Sequence, residues 1–138
     1  MKVIPFRESL EDYVLINTEI MSNAIEDNLG TLESISKSEY AAHVRNQIAE
    51  LVAMLKKMLN HLDILVQAQQ YWVTLDPVYN SGLFKNFFEN KTDKFLEVRT
   101  SFRRIMWSSY RNPSACYNLM IEDRIPTFEA MVDFYSQL

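Results

Sequence analysis

The stretch that decides the fold runs from Lys37 to Leu75 and reads KSEYAAHVRNQIAELVAMLKKMLNHLDILVQAQQYWVTL. It contains neither glycine nor proline, the residues that most often interrupt a helix. Its large apolar side chains recur mostly three or four positions apart, which is the repeat of one helical face. The members of this stripe are Tyr40, Val44, Ile48, Leu51, Leu55, Met58, Leu62, Leu65, Trp72 and Leu75, with Gln69 as the one polar member. At ~1.5 Å per residue, the stretch predicts a rod of roughly 60 Å whose stripe must be covered by the flanking segments.

A first helix is predicted before this rod. Ser9 with Asp12 three residues later resembles a capping box, and Gly30 suits the left-handed residue that ends a helix. The stripe of this helix would consist of Tyr13, Ile16, Ile20 and Ala24. Thr31 to Ile35 would connect it to the rod, which opens at a second capping-box pattern, Ser36 to Glu39.

The rod is predicted to end near Leu75 or Asp76, because Pro77 disfavours helical geometry in the residue before it. The alternative is a kink at Pro77 with the helix resuming to Tyr79. Asn80 to Gly82 is a turn signal. The aromatic residues 83–88 would form one or two helical turns that close the end of a bundle.

Two further helices are predicted. One is capped by Asn90 or Thr92 and ends at Asn112-Pro113, and the other opens near Pro126, a residue that suits the first turn of a helix. The last apolar pattern is still running at Leu138, which suggests a piece of a longer polypeptide. The predicted fold class is therefore all-α: residues 1–138 form a single elongated antiparallel helical bundle, in which the first, third and last helices pack on one long central helix.

Composition excludes several classes of protein. No apolar run approaches the ~20 residues of a membrane span, and the N-terminus has no signal-peptide core, so neither membrane insertion nor secretion is expected. The single cysteine, Cys116, cannot form an internal disulfide, which favours a reducing compartment. The net charge is −4, which argues against nucleic-acid binding even though Trp107 and Tyr110 lie in a basic helix.

Charge is unevenly distributed along the chain. Residues 83–111 carry seven Lys or Arg against three Asp or Glu, while the flanking segments are neutral or acidic. This basic helix either attracts its acidic neighbours within the bundle or offers a docking face to an acidic partner. The residues proposed for such a contact surface are Phe84, Phe87, Phe88, Arg99, Arg103 and Arg104.

The sequence offers no constellation for chemistry. Its two glycines are too far apart to build a phosphate-binding loop. His43 and His61 are eighteen residues apart on one predicted helix, about 27 Å, which is too far to share a metal ion. Cys116 has no histidine near it in sequence. No catalytic, metal or cofactor site is predicted.

The end of the rod carries an ordered motif: a Gln, two residues, a Trp, two residues, a Leu, an acidic residue, then an aromatic and a small polar turn. These positions are Gln69, Trp72, Leu75, Asp76, Tyr79 and Ser81. Further motifs follow in order at Phe95–Val98, Phe102–Met106 and Asn112-Pro113, and others precede it at Asn17–Met21, Glu26–Asn28 and Ser38–Tyr40. This ordered set resembles the linker region of dynein heavy chains, although the family often has Trp where Leu51, Leu65 and Phe102 stand here.

The resemblance implies a helical fragment of the mechanical element that lies across the AAA+ ring of dynein. Its partners would be that ring, the remaining linker and the other dynein subunits, in the cytoplasm, cytoskeleton or cilium. Such a fragment would carry force, bending only at breaks such as Asp76-Pro77, residues 80–82 or Asn112-Pro113. It would neither hydrolyse ATP nor bind microtubules by itself. The alternative hypothesis is a stand-alone, spectrin-like adaptor that binds a protein partner.

Overall fold

The computed structural model describes residues 1–7 and 12–138, and within these ranges the chain is mostly helical. The elements are β1 (Lys2–Arg7), β2 (Asp12–Ile16), α1 (Thr18–Ser36), α2 (Arg45–Ser81), α3 (Lys85–Phe88), α4 (Thr92–Arg111), α5 (Ala115–Leu119) and α6 (Arg124–Ser136). Short 3-10 turns at Glu39–Ala41 and Glu89–Lys91 precede α2 and α4. The all-α prediction is confirmed for the bulk of the chain, with one exception at the N-terminus.

The exception is an antiparallel hairpin of β1 and β2, which occupies part of the predicted first helix. Its register pairs Lys2 with Ile16 and Ile4 with Val14. The prediction of a helix over Tyr13 and Ile16 is therefore wrong, and its cap at Ser9 lies outside the described residues. Residues 13–16 are aromatic, β-branched or apolar throughout, so this short run suits a half-buried strand as well as a helical stripe.

Helix α1 begins after Asn17, whose φ of 57° turns the chain out of the strand. Gly30 was expected to end this helix but lies inside it, and α1 continues to Ser36. A glycine weakens a helix interior by only about 1 kcal/mol, which packing against α2 can offset.

The long helix exists, but its bounds differ from those predicted. It starts at Arg45, because residues 37–44 form the connection from α1, and it continues through Pro77 to Ser81. The alternative of a helix resuming after Pro77 is therefore the one observed. Pro77 has no N–H to donate to the preceding turn. The helix ends where Gly82 adopts a φ of 74°, a left-handed conformation that favours glycine.

The C-terminal elements follow the prediction closely. Helix α3 is a single turn in the aromatic segment, α4 ends just before Asn112-Pro113, and the short helix α5 lies between α4 and α6. Helix α6 opens at Arg124, with Pro126 in its first turn, and ends at Ser136.

Helix α2 is the scaffold on which the other elements pack. Helix α1 returns alongside it, since Thr18 and Ser22 line the same groove as Leu62 and Val66. Helix α4 runs antiparallel to it, because Phe102 contacts Trp72 and Arg99 contacts Asp76. Helix α6 differs from the antiparallel prediction: His61 meets Phe128 and Tyr71 meets Tyr135, so α6 runs in the same direction as α2.

The core lies between the C-terminal half of α2, the hairpin, α4 and α6. Its largest fully buried apolar side chains are Trp72, Phe95, Phe102, Phe128, Leu62, Met106, Leu119 and Met131. The N-terminal third of α2 contributes little to this core: Ile48 is its one buried residue, although Met54 and Leu55 pack against the core and Lys57 pairs with Glu122.

Candidate functional site

Four motif residues at the end of α2, Gln69, Trp72, Asp76 and Tyr79, lie on one face of the helix, with spacings of three, four and three. This face contacts the hairpin and α4, whereas Leu75 faces a groove beside α3 and α6.

Gln69 explains why the apolar stripe has one polar member. The backbone N–H of Leu15 donates to Gln69 Oε1 at 2.7 Å, and Gln69 Nε2 donates to the carbonyl oxygen of Leu15 at 2.8 Å. The primary amide thus pairs with the backbone of β2 as a neighbouring strand would, and it satisfies an edge beside which residues 1–7 and 12–138 supply no further strand. Gln69 thereby fixes the hairpin to α2.

Trp72 is completely buried and joins the same two elements. Its ring lies 5.6 Å from that of Phe6 in β1 and 4.7 Å from that of Phe102 in α4. Both distances are within the range of favourable aromatic pairs. Leu75, the next motif residue, is half-buried and faces a groove between α2, α3 and α6.

Asp76 is fully buried, and Arg99 of α4 reaches it. Arg99 Nε donates to Asp76 Oδ1 at 2.9 Å, and its guanidinium lies 5.5 Å from the centroid of the Tyr79 ring. Tyr79 in turn stacks on Phe95 with ring centroids 4.4 Å apart and planes 3° apart. These contacts hold the turn on both sides of Pro77 against α4, which accounts for the helix continuing past the proline.

A second buried carboxylate, Asp12 at the start of β2, joins the hairpin to α4 in the same way. Arg103 Nε donates to Asp12 Oδ1, and Arg103 Nη2 lies 3.4 Å from Oδ2. Asp12 is 1% exposed. Sequence reasoning missed it, because the first helix was expected to place Asp12 in an exposed first turn. A prediction of a strand over residues 12–16 could have indicated that Asp12 is buried.

Arg99 and Arg103 therefore have internal roles. Both were predicted to belong to a contact surface, but their guanidinium groups are directed at Asp76 and Asp12. Of the arginines predicted for that surface, Arg104 is the exposed one. The prediction of attraction within the bundle fits α4 better than that of an entirely free basic face.

The aromatic cluster after α2 is divided in the same way. Phe88 is buried, with its ring 5.0 Å from Phe95 and 6.2 Å from Tyr79. Phe84 and Phe87 are more than half exposed, as is the neighbouring Leu83. Phe88 thus closes the end of the core, and the two other phenylalanines remain available at the surface.

A polar network organises the Asn112-Pro113 break. Asn118 Nδ2 donates to the carbonyl oxygens of Asn112 and Ser114, at 2.6 Å and 2.8 Å. Arg124 Nη1 donates to Asn118 Oδ1 at 2.9 Å and to Ser109 Oγ at 3.1 Å. Burial lowers the pKa of Arg124, but an arginine keeps its charge over the physiological range. The network fastens the start of α6 to the end of α4, and sequence periodicity gave no sign of it.

His61 is buried inside the bundle. Its Nδ1 lies 3.0 Å from the carbonyl oxygen of Leu119, and its ring is 5.8 Å from that of Phe128. Burial lowers the pKa of His61, the hydrogen bond to Leu119 opposes this, and the charge of Arg124 lowers the pKa further. The neutral imidazole is therefore the favoured form in the fold. His61 is therefore an interior residue of the bundle, whereas His43 is exposed.

The described residues contain no group of three or more His, Cys, Asp or Glu side chains placed to hold a metal ion. None of the helices in the described ranges combines the length and hydropathy needed to cross a bilayer. The groove beside Leu75 has a volume of about 720 Å³ and is open to solvent on one side. It has neither a charged side chain nor a metal-binding pair in its lining.

Comparisons with known proteins agree with the motif. The family model for dynein heavy chain, N-terminal region 2, matches residues 1–137. The chain is 21% identical over 113 residues to dynein axonemal heavy chain 6 of Homo sapiens, and 23% identical over 110 residues to dynein axonemal heavy chain 1 of Mus musculus. These alignments cover 82% and 80% of this chain but only 3% of either relative. The chain belongs to the dynein heavy chain family, within N-terminal region 2.

Proposed function

We propose that this chain is a structural, force-transmitting segment of the dynein linker, which changes shape with the ATP cycle of the neighbouring AAA+ ring and so drives movement along microtubules. The segment itself makes and breaks no bonds. ATP turnover would belong to the ring, and microtubule binding to other parts of the heavy chain. The axonemal names of its relatives support a place in the cytoskeleton or cilium.

The observation that carries this proposal is the double attachment of α4. Through Arg99 and Arg103, one helix holds the buried Asp76 of α2 and the buried Asp12 of the hairpin. Both carboxylates are buried away from water. Moving either arginine away would therefore cost free energy, because it would weaken the pairing of a buried charge. Such a unit resists bending within itself and passes load between α2, α4 and the hairpin.

This attachment bears on where bending would occur. The breaks at Asp76-Pro77 and Asn112-Pro113 were proposed as bending points, but Asp76 contacts α4 and the carbonyl oxygen of Asn112 accepts from Asn118. Residues 80–82 are exposed and include the left-handed Gly82, and their contact with α4, from Arg99 Nη2 to Asn80 Oδ1, is long at 3.5 Å. We therefore favour these residues as the point where the segment yields under load.

The test uses the complete heavy-chain motor with Arg99 and Arg103 both changed to alanine. We expect microtubule gliding to slow several-fold while ATP turnover by the ring is retained, because force transmission and chemistry lie in different parts of the chain. A Lys56→Ala motor, altered at an exposed position of α2, is the matched control. Unchanged gliding, or a parallel fall of gliding and ATP turnover, would contradict the proposal.

A stand-alone, spectrin-like adaptor is the second candidate. The exposed side chains of Leu83, Phe84 and Phe87 favour it, since three neighbouring apolar residues at one end of a bundle suit a protein contact. Sequencing the open reading frame that encodes this chain separates the two candidates. Phosphate-binding loops of AAA+ modules downstream would support the motor, and a stop codon after Leu138 would support the adaptor.

A further inference from the structure

The outward face of α4 carries its charges in a polarised order. Opposite the buried stripe of this helix, exposed side chains recur at alternating spacings of four and three residues, which places them on one ridge. In chain order the ridge consists of Asp93, Glu97, Thr100, Arg104, Trp107 and Arg111. Its N-terminal half is acidic and its C-terminal half is basic. Leu96 flanks the ridge and is 44% exposed, as is Trp107.

The charged side chains of this ridge do not form the ion pairs that join α4 to the core. Arg99 and Arg103, which bind Asp76 and Asp12, lie to one side of it. Within the described ranges, Arg104 makes no ion pair. The guanidinium of Arg111 lies 5.0 Å from the centroid of the Trp107 ring and remains exposed.

The acidic half is similarly available. Glu97 pairs with Lys94 at 3.7 Å, but the Glu97 side chain is 68% exposed and that of Lys94 42%, and ion pairs in contact with water contribute little. Both signs of charge are therefore open to a partner along the same ridge.

This order is self-complementary. When two such helices lie antiparallel about a two-fold axis near Ser101, Asp93 faces Arg111 of the second copy and Glu97 faces Arg104 of the second copy. The same alignment brings Leu96 onto Trp107 of the second copy and places Thr100 close to the axis. A two-fold interface of this kind uses one patch twice, so every favourable pair occurs twice.

We propose that the α4 ridge is a homotypic contact surface, through which two copies of this chain associate antiparallel. The order of charges along the ridge favours a second copy of this chain over a purely acidic segment of another protein. An acidic helix along the ridge would meet Arg104 and Arg111, but it would also oppose Asp93 and Glu97. Only a partner with the reversed order of charge matches the whole ridge, and the antiparallel second copy has that order.

The association should be weak, reversible and sensitive to salt. Helix α4 is about 30 Å long, and a contact made chiefly by one helix pair falls at the low end of specific interfaces. Exposed ion pairs are screened within about 10 Å at ~0.1 M salt, so higher ionic strength should dissociate the pair. The ridge is nevertheless pre-ordered, because the buried stripe on the opposite face and the two ion pairs beside it hold α4 in place.

The experiment is analytical ultracentrifugation of the purified chain over a range of concentrations, with single charge reversals and their combinations. Glu97→Arg places like charges opposite each other in a homodimer, as does Arg104→Glu, so each should weaken self-association at least tenfold. Mixing these two variants restores opposite charges at both contacts, and so does the Glu97→Arg/Arg104→Glu double variant. We expect the mixture and the double variant to dimerise like the parent chain, and each single variant alone to dimerise at least tenfold more weakly.

The matched controls carry the same charge changes away from the ridge. Glu26→Arg on α1 and Lys56→Glu on α2 are exposed in the fold and should dimerise like the parent chain. Tryptophan fluorescence provides a second readout, because Trp72 is fully buried and Trp107 is the tryptophan that solvent reaches. Quenching by acrylamide should fall as the parent chain associates, and it should not fall in the single-reversal variants.

Two results would overturn the proposal. One is a parent chain that stays monomeric at every concentration and low salt. The other is association that Arg104→Glu abolishes and Glu97→Arg leaves intact, which would assign the face to an acidic partner. Circular dichroism of each variant excludes loss of folding as the cause. This inference does not depend on the linker role, since a homotypic contact could exist in a motor or in an adaptor.

Discussion

The two ends of α2 make an instructive comparison, because one continuous helix passes through two very different environments. From Arg45 to Lys57 it packs beside α1, and Ile48 is its one buried residue there. We call this end, with the facing part of α1, the arm. Beyond Lys57 the buried residues of α2 are Met58, His61, Leu62, Leu65, Ala68, Trp72 and Asp76. We call this end, with the hairpin, α4, α5 and α6, the body.

The difference shows that an apolar stripe and burial are separate properties. Val44 and Leu51 belong to the same stripe as Leu62 and Leu65, yet both remain exposed because fewer of the described elements pack beside this end of the helix. The body is covered on several sides. Stability should therefore be concentrated in the body, and the arm should open locally at a lower free energy.

The largest expected effect is a difference in stability between core truncations made in the body and in the arm. Phe102→Ala in the body should lower the free energy of unfolding by about 3–5 kcal/mol, because it leaves a cavity against Trp72. Ile48→Ala in the arm should cost less, since solvent and neighbouring side chains can fill the space. Chemical denaturation followed by circular dichroism measures both. Equal losses would show that the arm is as tightly packed as the body.

The next effect concerns the two buried ion pairs of the body. Arg99→Ala or Arg103→Ala removes one ion-pair partner from a buried carboxylate, and each should cost about 2–4 kcal/mol, somewhat below the range for a fully enclosed pair. Lys57→Ala, which removes the exposed ion pair with Glu122, is the matched control and should cost far less. Similar losses of stability for all three variants would contradict the proposal that α4 is attached to α2 and the hairpin through Arg99 and Arg103.

A smaller effect is expected at Gln69. Gln69→Leu keeps the apolar character of the stripe but leaves the backbone N–H and carbonyl of Leu15 without this partner, at a cost of about 1–3 kcal/mol. Amide hydrogen exchange at Leu15 should accelerate in this variant. Gln67→Leu, at an exposed position of the same helix, should leave that exchange rate unchanged. Slow exchange at Leu15 in both variants would contradict the role of Gln69.

The smallest effect is a dependence of stability on pH, also confined to the body. The pKa of His61 is lowered in the fold, chiefly by burial, so the folded chain binds fewer protons than the unfolded chain as pH falls. Stability is therefore full above the ordinary histidine pKa of about 6.5 and declines as pH falls below it toward the lowered value. His61→Gln should flatten this slope between about pH 7 and pH 5, while His43→Gln, at an exposed position next to the arm, should retain it. A slope that persists in His61→Gln would assign the proton to another group.

Local signals in the sequence determined most of the helical content. The 3.6-residue repeat identified α2, α4 and α6, and Gly82 and Asn112-Pro113 marked helix ends, because periodicity and backbone preference act over only a few residues. The same reasoning failed at residues 12–16, where a short apolar run fits a strand or a helix equally well. It also failed at Gly30 and Pro77, where packing outweighed the local tendency of one residue to end a helix.

The sequence alone therefore decided that this chain would be mostly helical, that one helix would dominate it, and that an ordered motif would lie along the end of that helix. Only the tertiary structure decided what the motif residues do. It placed Gln69 against the backbone of β2, Asp76 under Arg99 and Asp12 under Arg103. The physical reason is that these partners lie 23 to 91 residues apart. The cost of burying a charge or a strand edge is met only when the folded chain brings such distant groups together.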